Sequence, residues 1–153
     1  MIPEPSRTLS AEARWVWRME QAIGWGVAVA VLAGVSAQLE APLSLLARTL
    51  PVIALLVCVL LVPELRWRNW RWEVHPVAVD IRHGTLTVRR TLVPVGRVQH
   101  VETSRGVLER ALGLATVKVH TAAGSHAIPL LRAADADEVR DRIADLAPAI
   151  DEP

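Results

Sequence analysis

The sequence predicts a membrane-embedded hairpin of two α-helices followed by a small β-rich domain, an antiparallel barrel or sandwich that ends in a C-terminal helix. Three observations support this fold class. Two apolar runs lie close together in the first half of the 153-residue chain. The second half consists of short runs in which apolar and polar residues alternate between turn signals, a pattern typical of β-strands. The final segment has the period of an amphipathic helix.

The two apolar runs have the length of membrane-spanning helices. Residues 22–39 contain no charged side chain, and residues 43–62 contain only Arg48. With a rise of 1.5 Å per residue, the runs extend about 27 Å and about 30 Å, close to the thickness of a bilayer's hydrocarbon core. A domain of this size cannot easily bury two helices that are apolar on every side, so we predict membrane insertion. Pro63 is expected to end the second helix, and Arg48 to extend toward the headgroups.

Basic residues flank the hairpin on one side only. Because positively charged flanks stay in the cytoplasm, we expect a multi-pass protein of the cytoplasmic membrane with both termini inside. A cleaved signal peptide is the competing interpretation, but three glutamates precede the first apolar run, which argues against it. The flanking arginines before the first helix and after the second are Arg7, Arg14, Arg18, Arg66, Arg68 and Arg71.

All aromatic residues are tryptophans, and they cluster beside these arginines. Trp prefers the membrane–water interface, and Arg marks its cytoplasmic side, so the clusters are interpreted as a collar between bilayer and domain. A nucleic-acid-binding stripe is the alternative, although the net charge of +1 creates no field that attracts a polyanion. The residues assigned to the membrane interface are Trp15, Trp17, Arg18, Arg66, Trp67, Arg68, Trp70, Arg71 and Trp72.

These features divide the chain into five parts. We predict a cytoplasmic segment at 1–21, the transmembrane hairpin at 22–62, the collar at 63–72, the β-rich domain at 73–147 and a tail at 148–153. Small residues recur every four positions in the first helix, which permits close approach of the second helix or of another subunit in a homo-oligomer. They are Ala22, Gly26, Ala30 and Gly34.

The β-rich half contains one hairpin signal and two helical signals. His83-Gly84 predicts a tight turn, but Arg90 then falls on the apolar face of the following strand, so a bulge near Arg89-Arg90 is expected. Residues 107–113 predict a short helix that Gly113 ends. Residues 133–148 predict an amphipathic helix that buries Val139, Ile143 and Leu146 and stops at Pro148.

Four short motifs in this half resemble those of the bacterial pleckstrin-homology-like (PH-like) membrane proteins. They are P-x-x-R-V-Q-H-V at 94–101, G-x-L-E-R at 106–110, GLAT at 113–116 and HTAAG at 120–124. The resemblance implies two N-terminal transmembrane helices and a cytoplasmic PH-like domain. It offers no catalytic residues, and it implies a sister membrane protein of the same family as partner. The motifs are interpreted as architecture, with Gly106 expected to adopt a positive φ.

Basic side chains of the β-rich domain are candidates for contact with a partner or with lipid. Near an anionic surface, each such residue contributes about 1 kcal/mol. The first hairpin turn carries only Arg82 and His83, so a phosphoinositide ligand is not expected. The candidates are Arg82, Arg89, Arg90, Arg97, Arg105 and Arg110.

Catalytic and metal-binding patterns are weak in this sequence. None of the five histidines has the helical i, i+4 spacing of a zinc motif, and the single cysteine lies in an apolar run. A turn at Ala123-Gly124 would pair Val119 with Ile128 and direct His120 and His126 to opposite faces. We therefore expect no enzyme, no metal and no cofactor, with a membrane-bound metal-dependent enzyme using His100, Glu102 and His120 as an alternative. The favoured function is an adaptor that docks protein partners or anionic lipid headgroups.

Overall fold

A computed structural model describes residues 3–147 of the chain. The described chain forms two compact units, one comprising Arg14–Leu65 and the other comprising residues 3–13 together with residues 66–147. The predicted tail at 148–153 lies outside the described residues. In chain order the elements are α1 (Ala13–Ser36), α2 (Leu43–Asn69), β1 (Arg71–Val74), β2 (Ala78–Gly84), β3 (Val88–Pro94), a 3₁₀ turn (Val95–Arg97), β4 (Val98–Ser104), α3 (Val107–Ala111), β5 (Leu114–Thr121), β6 (Gly124–Arg132) and α4 (Ala133–Leu146).

Helices α1 and α2 are both long and apolar enough to span a bilayer. In the most apolar 18-residue stretch of each helix, at most 6% of the residues are buried within the protein, in contrast to the core helices of a soluble domain. The prediction that Pro63 ends the second helix is wrong, because α2 continues through it to Asn69. A proline removes one backbone hydrogen bond, and apolar spanning helices tolerate this loss better than soluble ones.

Within the hairpin, Arg48 is held by a polar contact. Its Nε donates a hydrogen bond to Ser36 Oγ at 2.9 Å, and Ser36 Oγ donates to the Ala33 carbonyl at 2.7 Å. The small-residue face is not packed at its glycines, since a Cβ added at Gly26 or Gly34 would meet nothing within 4 Å. The role of that face in helix packing stays a prediction.

Six strands form two three-stranded antiparallel sheets, ordered β1-β2-β3 and β4-β5-β6. Helix α4 packs on the second sheet and buries Ala136, Val139 and Ile143. The predicted burial of Val139 and Ile143 is therefore confirmed. The fully buried Val117 and Val119 belong to the same core. Two small sheets with a C-terminal helix agree with the expected PH-like sandwich.

The first sheet contains the predicted hairpin, but the position predicted for its turn, His83-Gly84, is wrong, because both residues belong to β2 and pair with Arg89 and Val88. The predicted bulge is not found either. Gly84 pairs with Val88, so the turn comprises residues 85–87, and a Cβ at Gly84 (φ +144°) would collide with the Thr87 carbonyl.

Strands β2 and β3 then pair without interruption to Pro94. The expected bulge near Arg89-Arg90 is therefore wrong. Val79, Ile81 and Val93 form the buried face of this hairpin, whereas Arg90 shares the opposite face with Leu92 and Asp80. No bulge is needed, because Arg90 is partly exposed there and pairs with the buried Asp80.

The second sheet contains two register shifts that the sequence did not indicate. In β4, Val98 pairs with Thr121 whereas His100 pairs with His120, so Gln99 is an extra residue. The other shift lies in the pairing of β5 with β6, where Ala115 pairs with Leu131 but Val117 pairs with Ile128.

The turn between β5 and β6 lies one residue earlier than predicted. Thr121 pairs with Gly124, so Val119 stands opposite His126 and not Ile128. The expected pairing of Val119 with Ile128 is wrong. His120 and His126 still point to opposite faces, because His126 shares the face of Val119.

The short helix α3 begins after Gly106 and is followed by Gly113 at φ +68°, which confirms the predicted glycine ending. Gly106 itself has φ −69°, so its expected positive φ is wrong. Its backbone N–H donates to Glu109 Oε2 at 2.5 Å, and the Thr116 hydroxyl donates to Glu109 Oε1 at 2.5 Å. The glycine position is thus the N-cap of α3, where an extended backbone suffices.

Candidate functional site

A pocket of about 460 Å³ lies between the first sheet and the β5–β6 hairpin. Strand β3 contributes Leu92, Val93 and Pro94, and the 3₁₀ turn that follows places Arg97 at the same pocket. The remaining lining residues come from the end of β5, the turn and the start of β6. They are Thr121, Ala122, Ala123 and His126.

The pocket combines a mainly apolar lining with one permanent positive charge. Leu92 is 46% exposed although it is a large apolar residue, so part of the lining is open to solvent. Within the described chain, no ion pair involves Arg97, and its guanidinium therefore keeps its donors available for an anion. The arrangement suits an apolar side chain next to an acidic group.

The six candidate arginines fall into two groups. Three are paired with carboxylates: Arg82 with Glu4 at 3.5 Å, Arg90 with Asp80 at 2.6 Å, and Arg105 with Asp137 at 3.4 Å. The other three form no ion pair with residues 3–147, and they are Arg89, Arg97 and Arg110. Only this second group keeps its charge uncompensated for a ligand.

Arg90 serves the fold of the domain. Its Nε donates to both carboxylate oxygens of Asp80, and Nη2 donates to Asp80 Oδ2 and to the Pro3 carbonyl. The hydrogen bonds that Arg90 donates to Asp80 raise the pKa of Arg90 above its ordinary value. The assignment of Arg90 to lipid or partner contact stays a prediction, but its donors are already engaged inside the domain.

Two tryptophans of the proposed collar belong to the core of the β-rich domain. Trp72 is 3% exposed and donates through Nε1 to the Thr8 carbonyl at 3.3 Å, while Trp70 is 7% exposed and lies beside His83. Arg71 Nη1 donates to the Trp70 carbonyl at 2.7 Å. Buried rings cannot stack on bases, so the nucleic-acid alternative loses the surface that it needs at these two positions.

The other collar residues have varied environments. Trp67 donates through Nε1 to the Ser10 carbonyl at 3.0 Å, and the Arg66 guanidinium lies 5.6 Å from the Trp70 ring centroid. Within the hairpin unit, Trp15 is exposed with Arg18 over its ring, and Trp17 is buried. Arg68 is exposed. Their assignment to the membrane interface stays a prediction.

The sequence did not reveal that the N-terminal segment is part of the domain. Arg7 forms an isolated antiparallel bridge with Trp72, and the buried Leu9 adds to the core. Ser6 donates to Glu73 through both its backbone N–H and its hydroxyl, and these bonds lower the pKa of Glu73. The Ser10 hydroxyl donates to the Leu130 carbonyl at 2.6 Å. The segment thereby covers the outer edge of β1.

Asp80 was also missed, although the sequence contained a signal for it. It is a single carboxylate inside the apolar run 77–81, and Arg90 in the next strand falls on the face that the sequence predicted to be apolar. A buried charge requires a partner of opposite sign. Placing the two strands in a hairpin would have identified the pair.

The three residues of the metal alternative lie together on the second sheet. The rings of His100 and His120 are stacked, with centroids 4.3 Å apart, and Glu102 Oε1 lies 3.5 Å from His120 Nε2. Lys118 Nζ lies 3.2 Å from the same oxygen, and this hydrogen bond lowers the pKa of Glu102. Three side chains that can ligate a metal therefore share one face of the sheet.

Comparisons with known proteins agree with this architecture. The family model described as Bacterial PH domain matches residues 22–147. The chain is 36% identical over 157 residues to "UPF0699 transmembrane protein YdbS" of Bacillus subtilis (strain 168), an alignment that covers 99% of each chain. No solved structure matches. With two apolar helices followed by a PH-like sandwich, the chain is a membrane protein that belongs to the bacterial PH domain family.

Proposed function

We propose that the protein is a non-enzymatic docking module, anchored by its helical hairpin, whose PH-like domain binds another membrane protein at the cytoplasmic face of the cell membrane. The observation that carries the proposal is the apolar pocket with Arg97 in its lining. An apolar side chain followed by a carboxylate is the ligand that this chemistry favours. A sister protein of the same family is the partner that the family resemblance suggests.

Anionic lipid headgroups are the second candidate ligand. The uncompensated charges of Arg89, Arg97 and Arg110 favour it, because exposed cations near an anionic leaflet bind headgroups. The apolar lining of the pocket favours a protein ligand, since it offers a headgroup no additional contact. Three isolated arginines also make a weaker phosphate site than a cluster does.

Photocrosslinking in native membranes distinguishes the two ligands. A photoreactive amino acid at Leu92 or Ala123 is expected to yield a protein adduct, identified by mass spectrometry as another membrane protein. The matched control is Val107, which is 74% exposed on α3 but lies outside the pocket lining. Arg97→Ala is expected to reduce the yield several-fold, because it removes the only permanent charge of the pocket.

Two outcomes would contradict the protein-docking proposal. Adducts with lipid alone would support headgroup binding in its place. Equal yields at Leu92, Ala123 and Val107 would show that the pocket has no ligand preference.

A further inference from the structure

We infer that His100, Glu102 and His120 form a binding site for a divalent transition-metal ion, with Zn²⁺ as the best match. The inference is independent of the proposed docking function. Their ligating atoms, one per residue, all lie within 4.8 Å of one another. In a tetrahedral zinc site with bonds of about 2.0–2.1 Å, neighbouring ligand atoms are separated by about 3.3 Å. The two imidazole rings are stacked nearly parallel, so a ring must turn about its χ angles before both histidine nitrogens can point at one ion.

The backbone arranges these residues as a metal site requires. His100 and Glu102 are two positions apart on β4 and share a face, while His120 stands directly opposite His100 on β5. Two ligands from one strand and a third from its neighbour make a compact triad on a rigid sheet. Three protein ligands leave a fourth position for water, as in an open zinc site.

A β-bulge creates this alignment. Val98 pairs with Thr121, and regular pairing would place His100 opposite the buried Val119, on the face that packs in the core. The extra residue Gln99 shifts the register by one and rotates His100 to the side of His120. Bulges are common where a strand must redirect a functional side chain. The stacked histidines depend on this irregularity.

An unsatisfied nitrogen points into the cluster. Nε2 of His120 is shielded from solvent and has no hydrogen-bond partner among the residues that the structure describes. The carboxylate oxygen Oε1 of Glu102 lies 3.5 Å from it, too far for a good hydrogen bond. Shielded polar atoms usually have a partner, and a bound ion is one explanation for an exception. A metal between this nitrogen and the carboxylate would give the nitrogen a partner.

Lys118 opposes the ion, and it therefore provides a sharp test. Its ammonium nitrogen Nζ lies 3.2 Å from Glu102 Oε1, the same carboxylate oxygen that faces His120. A metal must compete with this positive charge for the same carboxylate. Lys118→Gln removes the competitor and retains a polar side chain, so it is expected to raise metal affinity several-fold.

The site can be tested on the full chain purified in detergent. After loading with Zn²⁺ and gel filtration, elemental analysis is expected to find about one zinc per chain. Competition with a chromophoric chelator should show that His100→Ala, His120→Ala and Glu102→Gln each weaken binding by about 100-fold or more. Co²⁺ loading should give the strong visible absorption of tetrahedral coordination.

His75→Ala and His126→Ala are matched controls outside the cluster and are expected to bind zinc as the wild type does. Circular dichroism establishes that the variants are folded. Retention of less than a tenth of an equivalent by the wild-type protein would overturn the inference. Undiminished binding in all three cluster variants would do the same, as would loss of binding in Lys118→Gln.

Discussion

At the scale of single residues, the Asp80–Arg90 pair shows how a charge is accommodated in a small core. The Asp80 carboxylate is completely buried, and three hydrogen bonds from Arg90 compensate the loss of its hydration. Burying an isolated carboxylate costs a large amount of folding free energy. Burying a hydrogen-bonded ion pair changes the folding free energy much less. The pair also joins adjacent strands β2 and β3, and its guanidinium reaches the N-terminal segment at Pro3.

Removing the arginine should therefore destabilise the domain. Arg90→Leu leaves the buried carboxylate without its partner, and we expect the thermal unfolding midpoint to fall by roughly 10 °C. Tryptophan fluorescence of the detergent-purified full chain is the measurement. Arg89→Leu, which changes a neighbouring arginine without an ion pair in the described chain, should shift the midpoint by little. Equal effects of the two substitutions would contradict a structural role for the pair.

At the scale of elements, the N-terminal segment stands out because it precedes the hairpin in sequence but joins the β-rich domain in space. Its bridge to β1 occupies an edge that would otherwise present unpaired backbone groups. Leu9 anchors the segment through its buried side chain, and Ser6 and Ser10 add hydrogen bonds to β1 and β6. The segment is thus held by contacts along its length.

Leu9→Ala tests whether this segment contributes to stability. Truncating a buried leucine costs about 2–5 kcal/mol, because it removes apolar burial and leaves a cavity. We expect a cost toward the lower end of this range, since a peripheral segment can collapse into the space. Chemical denaturation of the full chain measures the change, and Val107→Ala at an exposed site is the control. A change below about 0.5 kcal/mol, the range of surface substitutions, would show that the segment is not part of the core.

The elements that could be predicted are those with a strong local pattern. The spanning helices, the first hairpin, α3 with its Gly113 ending and the buried face of α4 all follow from periodicity and turn chemistry. The bulge at Gln99 and the pairing of Arg7 with Trp72 depend on contacts between distant segments. Local pattern carries no information about such contacts. For that reason the sequence named His100, Glu102 and His120 only as an alternative and did not reveal the pocket.

At the scale of the whole molecule, the remaining question is the side of the membrane on which the β-rich domain lies. If α1 and α2 both cross the bilayer, the segments before and after the hairpin lie on the same side. Arg14 and Arg18 lie in the first two turns of α1, and Arg66 and Arg68 lie in the last turn of α2. The link between the helices contains no basic residue. Because positively charged flanks are retained in the cytoplasm, the domain is expected there.

Reporter fusions test this topology directly. Alkaline phosphatase fused after residue 40 should be active, because the enzyme folds only outside the cytoplasm, and the same reporter after residue 153 should be inactive. A fluorescent protein that matures only in the cytoplasm should give the reverse pattern. Identical results at the two positions would contradict the hairpin, and a fully inverted result would contradict the orientation. Replacing Arg66, Arg68 and Arg71 with glutamine should then yield a mixed topology, since the charge bias that fixes the orientation would be weakened.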